Sequence, residues 1–243
     1  MNDVENWISR LNSLKDVHFQ RNFTLSASPL EQTLHVFVDA SQFVYATVAY
    51  IRTVYEDGLV DVQLVGSKSR LAPLHGLSIP RMELCSCLIG ARLANSITTE
   101  LDLKLDAITY WSDSTAALGY IRNRRTRFAV FVGNRISEIQ TTTRIEDWRH
   151  CPTDMNVADG LTRGHFPSSP SDPYYVGPPF LRLPSEQWPN DLGQTYDELI
   201  DPTDIRRDLQ VMFADVPIFS HVTDFFPKFS SFRRLIVAVG WLL

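Results

Sequence analysis

Asp113 stands where a predicted strand meets a predicted helix, and this position gives it a possible chemical role. The residues before it, Ala107–Ser112, are rich in Ile, Tyr and Trp and are typical of a buried central strand. Ser112 or Ser114 can cap the helix that follows. A carboxylate at the carboxyl end of a central strand lies where α/β sheets bind ligands. Considered by itself, Asp113 is more simply explained as a residue that serves the helix N-terminus.

Three further acids occupy positions from which they could share a site with Asp113. Asp39 ends the first predicted strand, Glu83 lies on a long predicted helix, and Asp159 lies near the start of a short one, whose N-terminus it could simply serve. Parallel pairing across a helical crossover places the strands of Asp39 and Asp113 side by side. Their carboxylates would repel each other unless a cation lay between them. Oxygen ligands alone favour Mg²⁺ or Mn²⁺ over zinc.

The helix that carries Glu83 is predicted from Ser78 to Ile97. Small residues share the face of Glu83, namely Cys87, Gly90, Ala91 and Ala94. Because small residues let a helix lie close to a sheet, Glu83 is expected to point inward at the sheet edge. A carboxylate in that position needs a partner. Pairing of Glu83 with Arg81 or Arg92, or simple solvation, is the alternative.

The pattern of strands and helices predicts an α/β fold. Five strands are expected, at 34–39, 44–52, 59–65, 107–112 and 145–150. The first three are joined by short connections, including the turn Glu56-Asp57-Gly58, and should therefore be antiparallel. The order β-β-β-α-β-α-α-β-α then predicts a five-stranded mixed sheet, with three antiparallel and two parallel strands, flanked by helices.

Charge is unevenly distributed along the chain. The formal net charge is −5, but residues 185–217 hold eight acids against two arginines, so the remainder carries +1. Residues 121–150 hold seven arginines against three acids, a local charge of +4. Within this stretch, the basic run comprises Arg122, Arg124, Arg125 and Arg127. These cations suit contacts with nucleic-acid phosphates, although a solvated loop explains them equally well.

Cysteine usage and hydropathy limit the class of protein. Cys85, Cys87 and Cys151 are odd in number and have no zinc-ligand spacing, which favours a reducing, intracellular compartment over a disulfide framework. The N-terminus has no apolar core of signal-peptide length. The apolar run Leu235–Leu243 is too short to span a bilayer. We therefore expect no membrane partner.

Five segments, in this order, resemble the ribonuclease H domain of retroelement polyproteins. They are HVFVDAS (35–41), IPRMEL (79–84), WSDST (111–115), FVGNRISEIQ (131–140) and DWRHCPTDMNVADGLTRG (147–164). KSRLAPL (68–74) combined with IPRMEL is most similar to the BEL/Pao class of LTR retrotransposons. The resemblance extends over nearly the whole chain from about residue 33, and it implies a ribonuclease H-like fold.

The resemblance also implies an activity. It is hydrolysis of the RNA strand of an RNA–DNA hybrid by two divalent ions, Mg²⁺ or Mn²⁺, roughly 3.5–4 Å apart. Asp39 matches the ligand of both ions, Asp159 the ligand on the side of the attacking water, and Glu83 and Asp113 the ligands on the side of the leaving 3′ oxygen. The implied partners are the hybrid and the reverse transcriptase part of the same polyprotein. The implied location is a cytoplasmic virus-like particle.

The domain organisation follows from the same segments. We expect an N-terminal helix and linker at 1–32 and the ribonuclease H-like domain at 33–166. Seven of the fourteen prolines fall between Gly164 and Pro189, which predicts a linker or a surface arm. A proline-rich and then acidic linker is therefore expected at 167–217. An apolar helix at 218–243, cut short ahead of a missing downstream domain, completes this irregular C-terminal extension.

Other functions fit the acids less well. A catalytically silent scaffold or nucleic-acid-binding domain of a truncated or domesticated element remains the alternative to a nuclease. A strand transferase on the same fold usually has glutamate as its last acid, whereas this chain has Asp159. An aspartic protease would need glycine two residues after its catalytic acids, whereas Ser41 and Thr115 stand there.

Overall fold

The computed structural model describes residues 2–11, 14–15, 17–18, 29–74, 76–101, 104–167, 169–191 and 200–206. All of them lie in one compact unit, Met1–Arg206. The helix expected at 218–243 and much of the acidic segment lie outside the described residues. The domain boundaries predicted from the sequence therefore stay predictions.

Five strands form one mixed sheet in the order β3-β2-β1-β4-β5. They are β1 (Pro29–Ala40), β2 (Val44–Tyr55), β3 (Val60–Leu71), β4 (Ala107–Ser112) and β5 (Trp148–His150). β1 and β3 both pair antiparallel with β2, whereas β4 runs parallel to β1 and to β5. The predicted fold class, with three antiparallel and two parallel strands, is confirmed.

Two strands are longer than their hydrophobic pattern predicts. β1 begins at Pro29 rather than at residue 34, because polar groups extend it. Gln32 is buried, its amide bonds to Thr53 Oγ1 at 3.2 Å, and its backbone N–H donates to Asp106 at 2.8 Å. β3 continues to Leu71 through the exposed stretch 67–71, which pairs with β2. Alternating hydrophobicity does not signal such strand ends.

Three of the described helices, Ile79–Glu100, Thr115–Arg122 and Val130–Thr142, pack against one face of the sheet. The described helices are α1 (Asn2–Leu11), α2 (Ile79–Glu100), α3 (Thr115–Arg122), α4 (Val130–Thr142), α5 (Ala158–Thr162) and α6 (Pro173–Val176). α2 lies so close to the sheet that a Cβ on Gly90 would stand 2.6 Å from Val38 Cγ1. The small-residue face of α2 therefore packs on the sheet as predicted. Among these helices none has the length and apolar character needed to cross a membrane.

The opposite face of the sheet is covered by the proline-rich arm, defined here as residues 169–191. Phe180 and Leu181 of this arm are buried against Phe37 and Trp111. Trp188 packs edge-on against the His35 ring, with centroids 5.1 Å apart. Residues 169–191, for which the sequence predicted a linker or a surface arm, thus complete the second hydrophobic core.

The buried His35 ring makes two hydrogen bonds beneath the proline-rich arm. The His35 ring bonds to Thr33 Oγ1 at 3.0 Å and accepts from Trp111 Nε1 at 3.2 Å. Burial, followed by the charges of Arg52 and Arg149, lowers the pKa of His35 to about 3. His35 is therefore neutral near neutral pH and serves the packing of this face.

Candidate active site

The ends of two adjacent parallel strands bring Asp39 and Asp113 together. Val38 pairs with Ser112 in the β1–β4 ladder, so the two acids follow directly on neighbouring strands. The buried Asn156 side chain donates both to the Val38 carbonyl at 3.0 Å and to Asp113 Oδ1 at 3.1 Å. One amide group thus ties the two strand ends to the segment that precedes α5.

Glu83 reaches the same edge from the first turns of α2. The Ser114 hydroxyl donates to Glu83, and Ser114 Oγ accepts from the Ala117 N–H at 3.0 Å as the N-cap of α3. The predicted cap is confirmed, and it also orients the glutamate. The alternative pairings of Glu83 are wrong, because Arg81 binds Asp204 and Arg92 binds Glu138.

Asp159 belongs to the first turn of α5, where its carboxylate accepts from Arg163 one turn later. The Thr162 hydroxyl from the same helix donates to Asp39. α5 contacts both β1 and β2, which holds these side chains against the sheet edge. Four elements therefore supply the four predicted acids at one end of the sheet.

Burial, together with the charges of the neighbouring acids, raises the pKa of two of the four carboxylates. For Asp39 burial is the largest cause, and the charges of Asp113 and Asp159 add to it. The pKa of Glu83 is raised to about 7 by burial and then by the charges of Asp113 and Asp39. Hydrogen bonds from Thr162 and Ser114 lower these pKa values without cancelling the rise. A bound cation would relieve this repulsion.

Asp39, Glu83 and Asp113 line one open cavity of about 800 Å³. The turn between β1 and β2, Ser41–Val44, forms part of its wall, and Arg163 lines it as well. Asp159 itself does not line this cavity. Its carboxylate is turned to Arg163, so the cation of Arg163 is presented to the cavity in its place.

Within the described ranges, no three His, Cys, Asp or Glu side chains are arranged to hold a metal ion. Each of the four acids accepts a hydrogen bond from a protein donor: Ser114, Thr162, Arg163 or Asn156. The donor set nonetheless suits Mg²⁺ or Mn²⁺, since carboxylate oxygens are the ligands that these ions prefer. Rotation of Glu83 and Asp159 away from their donors would free both carboxylates.

Sequence reasoning missed three residues that shape the site: Asn156, Thr162 and Arg163. The spacing from Asp159 offers a signal for the last two, because residues three and four positions along a helix lie beside it. Asn156 carries no such signal. Its partners, Val38 and Asp113, are distant in the sequence, and only the folded chain brings them together.

The predicted nucleic-acid-binding arginines lie away from the acids. Arg122 is at the far end of α3, about 10 Å along the helix from its first residue. It donates to the Trp148 carbonyl and to Asp191, both at 2.7 Å. Arg124 stands 3.7 Å from Glu146. Arg124, Arg125 and Arg127 are exposed, and no arginine of the basic run lines the cavity that holds Asp39, Glu83 and Asp113.

The acidic segment contacts this region through residues 200–206, called here the docked segment. Asp204 is fully buried and accepts from Arg81 at 2.7 Å and from the Tyr120 hydroxyl at 2.5 Å. The Ala129 N–H donates to the Asp204 carbonyl at 2.7 Å. The docked segment thus joins the starts of α2 and α4 to the body of α3.

The raised pKa of Glu83 makes stability depend on pH. The folded protein keeps a proton on Glu83 up to pH about 7, whereas the ordinary value is 4.5. Because the folded state binds more protons, stability should fall as the pH rises from 4.5 to 7. In Glu83→Gln this loss should shrink, as measured by denaturant unfolding across that range in EDTA. Exposed Glu56→Gln is the control, and identical pH profiles for wild type and Glu83→Gln would refute the expectation.

The strand order β3-β2-β1-β4-β5, with parallel pairing of β1 and β4, is that of a ribonuclease H-like α/β fold. Residues 1–114 match the family model of the Pao retrotransposon-like RNaseH-like domain. The predicted resemblance to the BEL/Pao class is confirmed over these residues, which include Asp39, Glu83 and Asp113. No curated protein matches the chain.

Solved ribonucleases H align with just over half of the chain. RNase H1 from Halobacterium salinarum is 13% identical over 56% of this chain and 96% of its own, with a TM-score of 0.37. The N-terminal ribonuclease H domain of a Mycobacterium tuberculosis protein is 10% identical over 57% and 94%, with a TM-score of 0.37. LC11-RNase H1 from compost, solved with an RNA/DNA hybrid, is 11% identical over 55% and 95%, with a TM-score of 0.37. The strand order, rather than these alignments, defines the fold.

Proposed function

We propose that this domain is a metal-dependent endonuclease that hydrolyses the RNA strand of RNA–DNA hybrids during retroelement reverse transcription. The proposal depends mainly on one observation: four acids from four separate elements lie near the carboxyl ends of β1 and β4. Adjacent pairing of Val38 and Ser112 brings Asp39 and Asp113 together there. Helices α2 and α5 add Glu83 and Asp159.

We assign the four acids the roles that the resemblance implies. Asp39 would contact both ions, Asp159 would serve the side of the attacking water, and Glu83 and Asp113 the side of the leaving 3′ oxygen. When bound, Mg²⁺ or Mn²⁺ lowers the pKa of the attacking water and neutralises charge on the phosphate.

Neighbouring side chains hold these carboxylates in place. The Asn156 amide fixes Asp113 against the end of β1, and Ser114 and Thr162 orient Glu83 and Asp39. Arg163 would compete with a cation for Asp159, so productive ion binding requires this ion pair to open. The open cavity leaves room for a phosphodiester to approach.

The proposed partners are an RNA–DNA hybrid and the reverse transcriptase part of the same polyprotein, in a cytoplasmic virus-like particle. Recognition of the hybrid would depend on minor-groove shape and 2′-hydroxyl groups rather than on base identity. The exposed cations Arg124, Arg125 and Arg127 are available for phosphate contacts away from the cleaved bond.

A second candidate is a catalytically silent scaffold or nucleic-acid-binding domain. The observation that favours it is that every one of the four acids already accepts a hydrogen bond from a protein donor. In such a domain these bonds would be permanent and would stabilise the sheet edge. A cleavage assay separates the two candidates.

The test is cleavage of an RNA–DNA hybrid, with each strand labelled in turn, by the whole chain. With Mg²⁺ we expect cuts in the RNA strand alone and none in duplex DNA. EDTA should abolish them, and so should Asp113→Asn, which removes a charge while preserving side-chain size. Hybrid binding without any cleavage in Mg²⁺ or Mn²⁺ would instead establish the scaffold.

A further inference from the structure

A second cavity, of about 260 Å³, is lined by residues of α2, α4, β2 and β3. β2 and β3 contribute Tyr45 and Arg70 to its wall, α2 contributes Arg92, and α4 contributes Arg135 and Glu138. Three guanidinium groups from three different elements therefore line one small space. None of the four acids assigned to the candidate active site takes part.

The charges in this cavity do not cancel. Arg92 is neutralised by a two-pronged ion pair with Glu138, at 2.6 and 2.8 Å. Arg70 is exposed and makes no hydrogen bond or ion pair with any described residue. Arg135 has no acidic partner within salt-bridge distance among the described residues. Two positive charges are left facing one space.

Arg135 is held in one orientation by neutral groups. Its Nη1 donates to the Phe131 carbonyl at 2.8 Å, its Nε donates to Cys85 Sγ at 3.3 Å, and its guanidinium lies 3.5 Å from the centre of the Phe131 ring. An arginine fixed in this way loses little conformational entropy when it binds an anion. A guanidinium fork fits the oxygens of a phosphate group.

The cavity is close to the candidate active site. Asp39 pairs with Ala46, and Ala46 pairs with Ser69, which directly precedes Arg70. Two strand spacings, about 10 Å, therefore separate the backbones of Asp39 and Ser69. A nucleic-acid strand that lies across the carboxylate edge can extend to this cavity within a few nucleotides.

We propose that Arg70 and Arg135 form a binding site for a backbone phosphate of the nucleic acid, beside the cleaved bond. The proposal depends on the proposed function for the identity of the ligand. It also gives a role to two segments of the resemblance, KSRLAPL and FVGNRISEIQ, that supply Arg70 and Arg135 but none of the four acids. The site would position the strand and take no part in bond breaking.

The test is hybrid affinity of the whole chain, measured by fluorescence anisotropy in EDTA over a series of salt concentrations. Arg70→Gln should raise the Kd roughly three- to tenfold, the range for the net contribution of one ordinary hydrogen bond at an exposed site. The slope of log affinity against log salt should also fall by about 0.7–0.9, the change for one lost phosphate contact. Arg70→Lys should restore the slope and only part of the affinity, because lysine lacks the fork. Lys104→Gln is the control with the same change of charge, because Lys104 is exposed and precedes β4, at the opposite end of this strand from Asp113.

Three outcomes would overturn the proposal. The first is an Arg70→Gln protein that matches Lys104→Gln in both Kd and salt slope. The second is wild-type protein that binds no hybrid. The third is stabilisation by inorganic phosphate that depends on Arg70 while hybrid affinity does not, which would indicate a site for a free anion.

The two proposals can fail separately. If the wild type cleaves hybrids and Arg70→Gln binds them normally, the nuclease stands and the phosphate site falls. If the wild type never cleaves but loses affinity on Arg70→Gln, the phosphate site stands on a silent domain. The Arg135→Lys variant adds a check within the cavity, since it keeps the charge and should lower affinity only through lost geometry.

Discussion

Asp39→Asn should abolish hybrid cleavage while leaving the metal-free protein at least as stable as the wild type. Asp39 is buried, and Asp113 and Asp159 repel its charge. Loss of this carboxylate would remove the ligand assigned to both ions. The metal ions stabilise the transition state by several kcal/mol, so we expect the cleavage rate to fall roughly a thousandfold. Asparagine keeps an oxygen that can accept from Thr162, so the fold should be retained.

The measurements are the cleavage rate in Mg²⁺ and the free energy of unfolding in EDTA at pH 8. Asp154→Asn removes the charge of an exposed carboxylate in the segment just before α5 and serves as the matched control. A variant that cleaves at more than a tenth of the wild-type rate would remove Asp39 from the catalytic set. A clear loss of stability would show instead that its charge supports the fold.

Phe180→Ala should be the most destabilising single change in the proline-rich arm. The ring is only 6% exposed and packs edge-on against Trp111 and Phe37, with centroids 5.2 and 6.1 Å away. Truncation of a buried phenylalanine costs about 3–5 kcal/mol because the surrounding residues cannot close the cavity. That is a large share of the roughly 5–15 kcal/mol by which a domain is stable.

Denaturant unfolding of the whole chain measures this change. Leu183→Ala in the same arm is the control, since Leu183 is 42% exposed and should lose well under 1 kcal/mol. A protein ended at residue 166, the domain boundary predicted from the sequence, should expose Phe37 and Trp111 and fail to fold. We propose on this basis that the domain includes the arm. A stable protein ending at residue 166 would refute this.

Prolines in the arm illustrate why its role was ambiguous from the sequence. Their density is typical both of a linker and of an arm wrapped on a surface. Phe180 and Trp188 contribute to burial only through contact with Phe37, Trp111 and His35, which come from strands far earlier in the chain. No pattern of neighbouring residues in the sequence predicts such a contact.

The existence of the five strands and the order of the elements were determined by the sequence alone. Local physics is sufficient for these features, because alternating hydrophobicity defines a strand and turn residues limit how it can connect. Short turns predict that β1, β2 and β3 pair antiparallel, and the long helical connection before β4 predicts that β4 pairs parallel with β1. The convergence of Asp39 with Asp113 could be expected from that topology.

The tertiary structure alone decided which donor each acid accepts from and which cations remain available. Glu83 accepts a hydrogen bond from Ser114 rather than from a nearby arginine, because Arg81 forms an ion pair with buried Asp204 and Arg92 forms one with Glu138. Arg70 and Arg135 meet in one cavity although they are far apart in the sequence. Such pairings depend on how helices and strands pack against one another. Side chains that meet across a packed interface produce no periodic pattern in the sequence, so the sequence does not predict them.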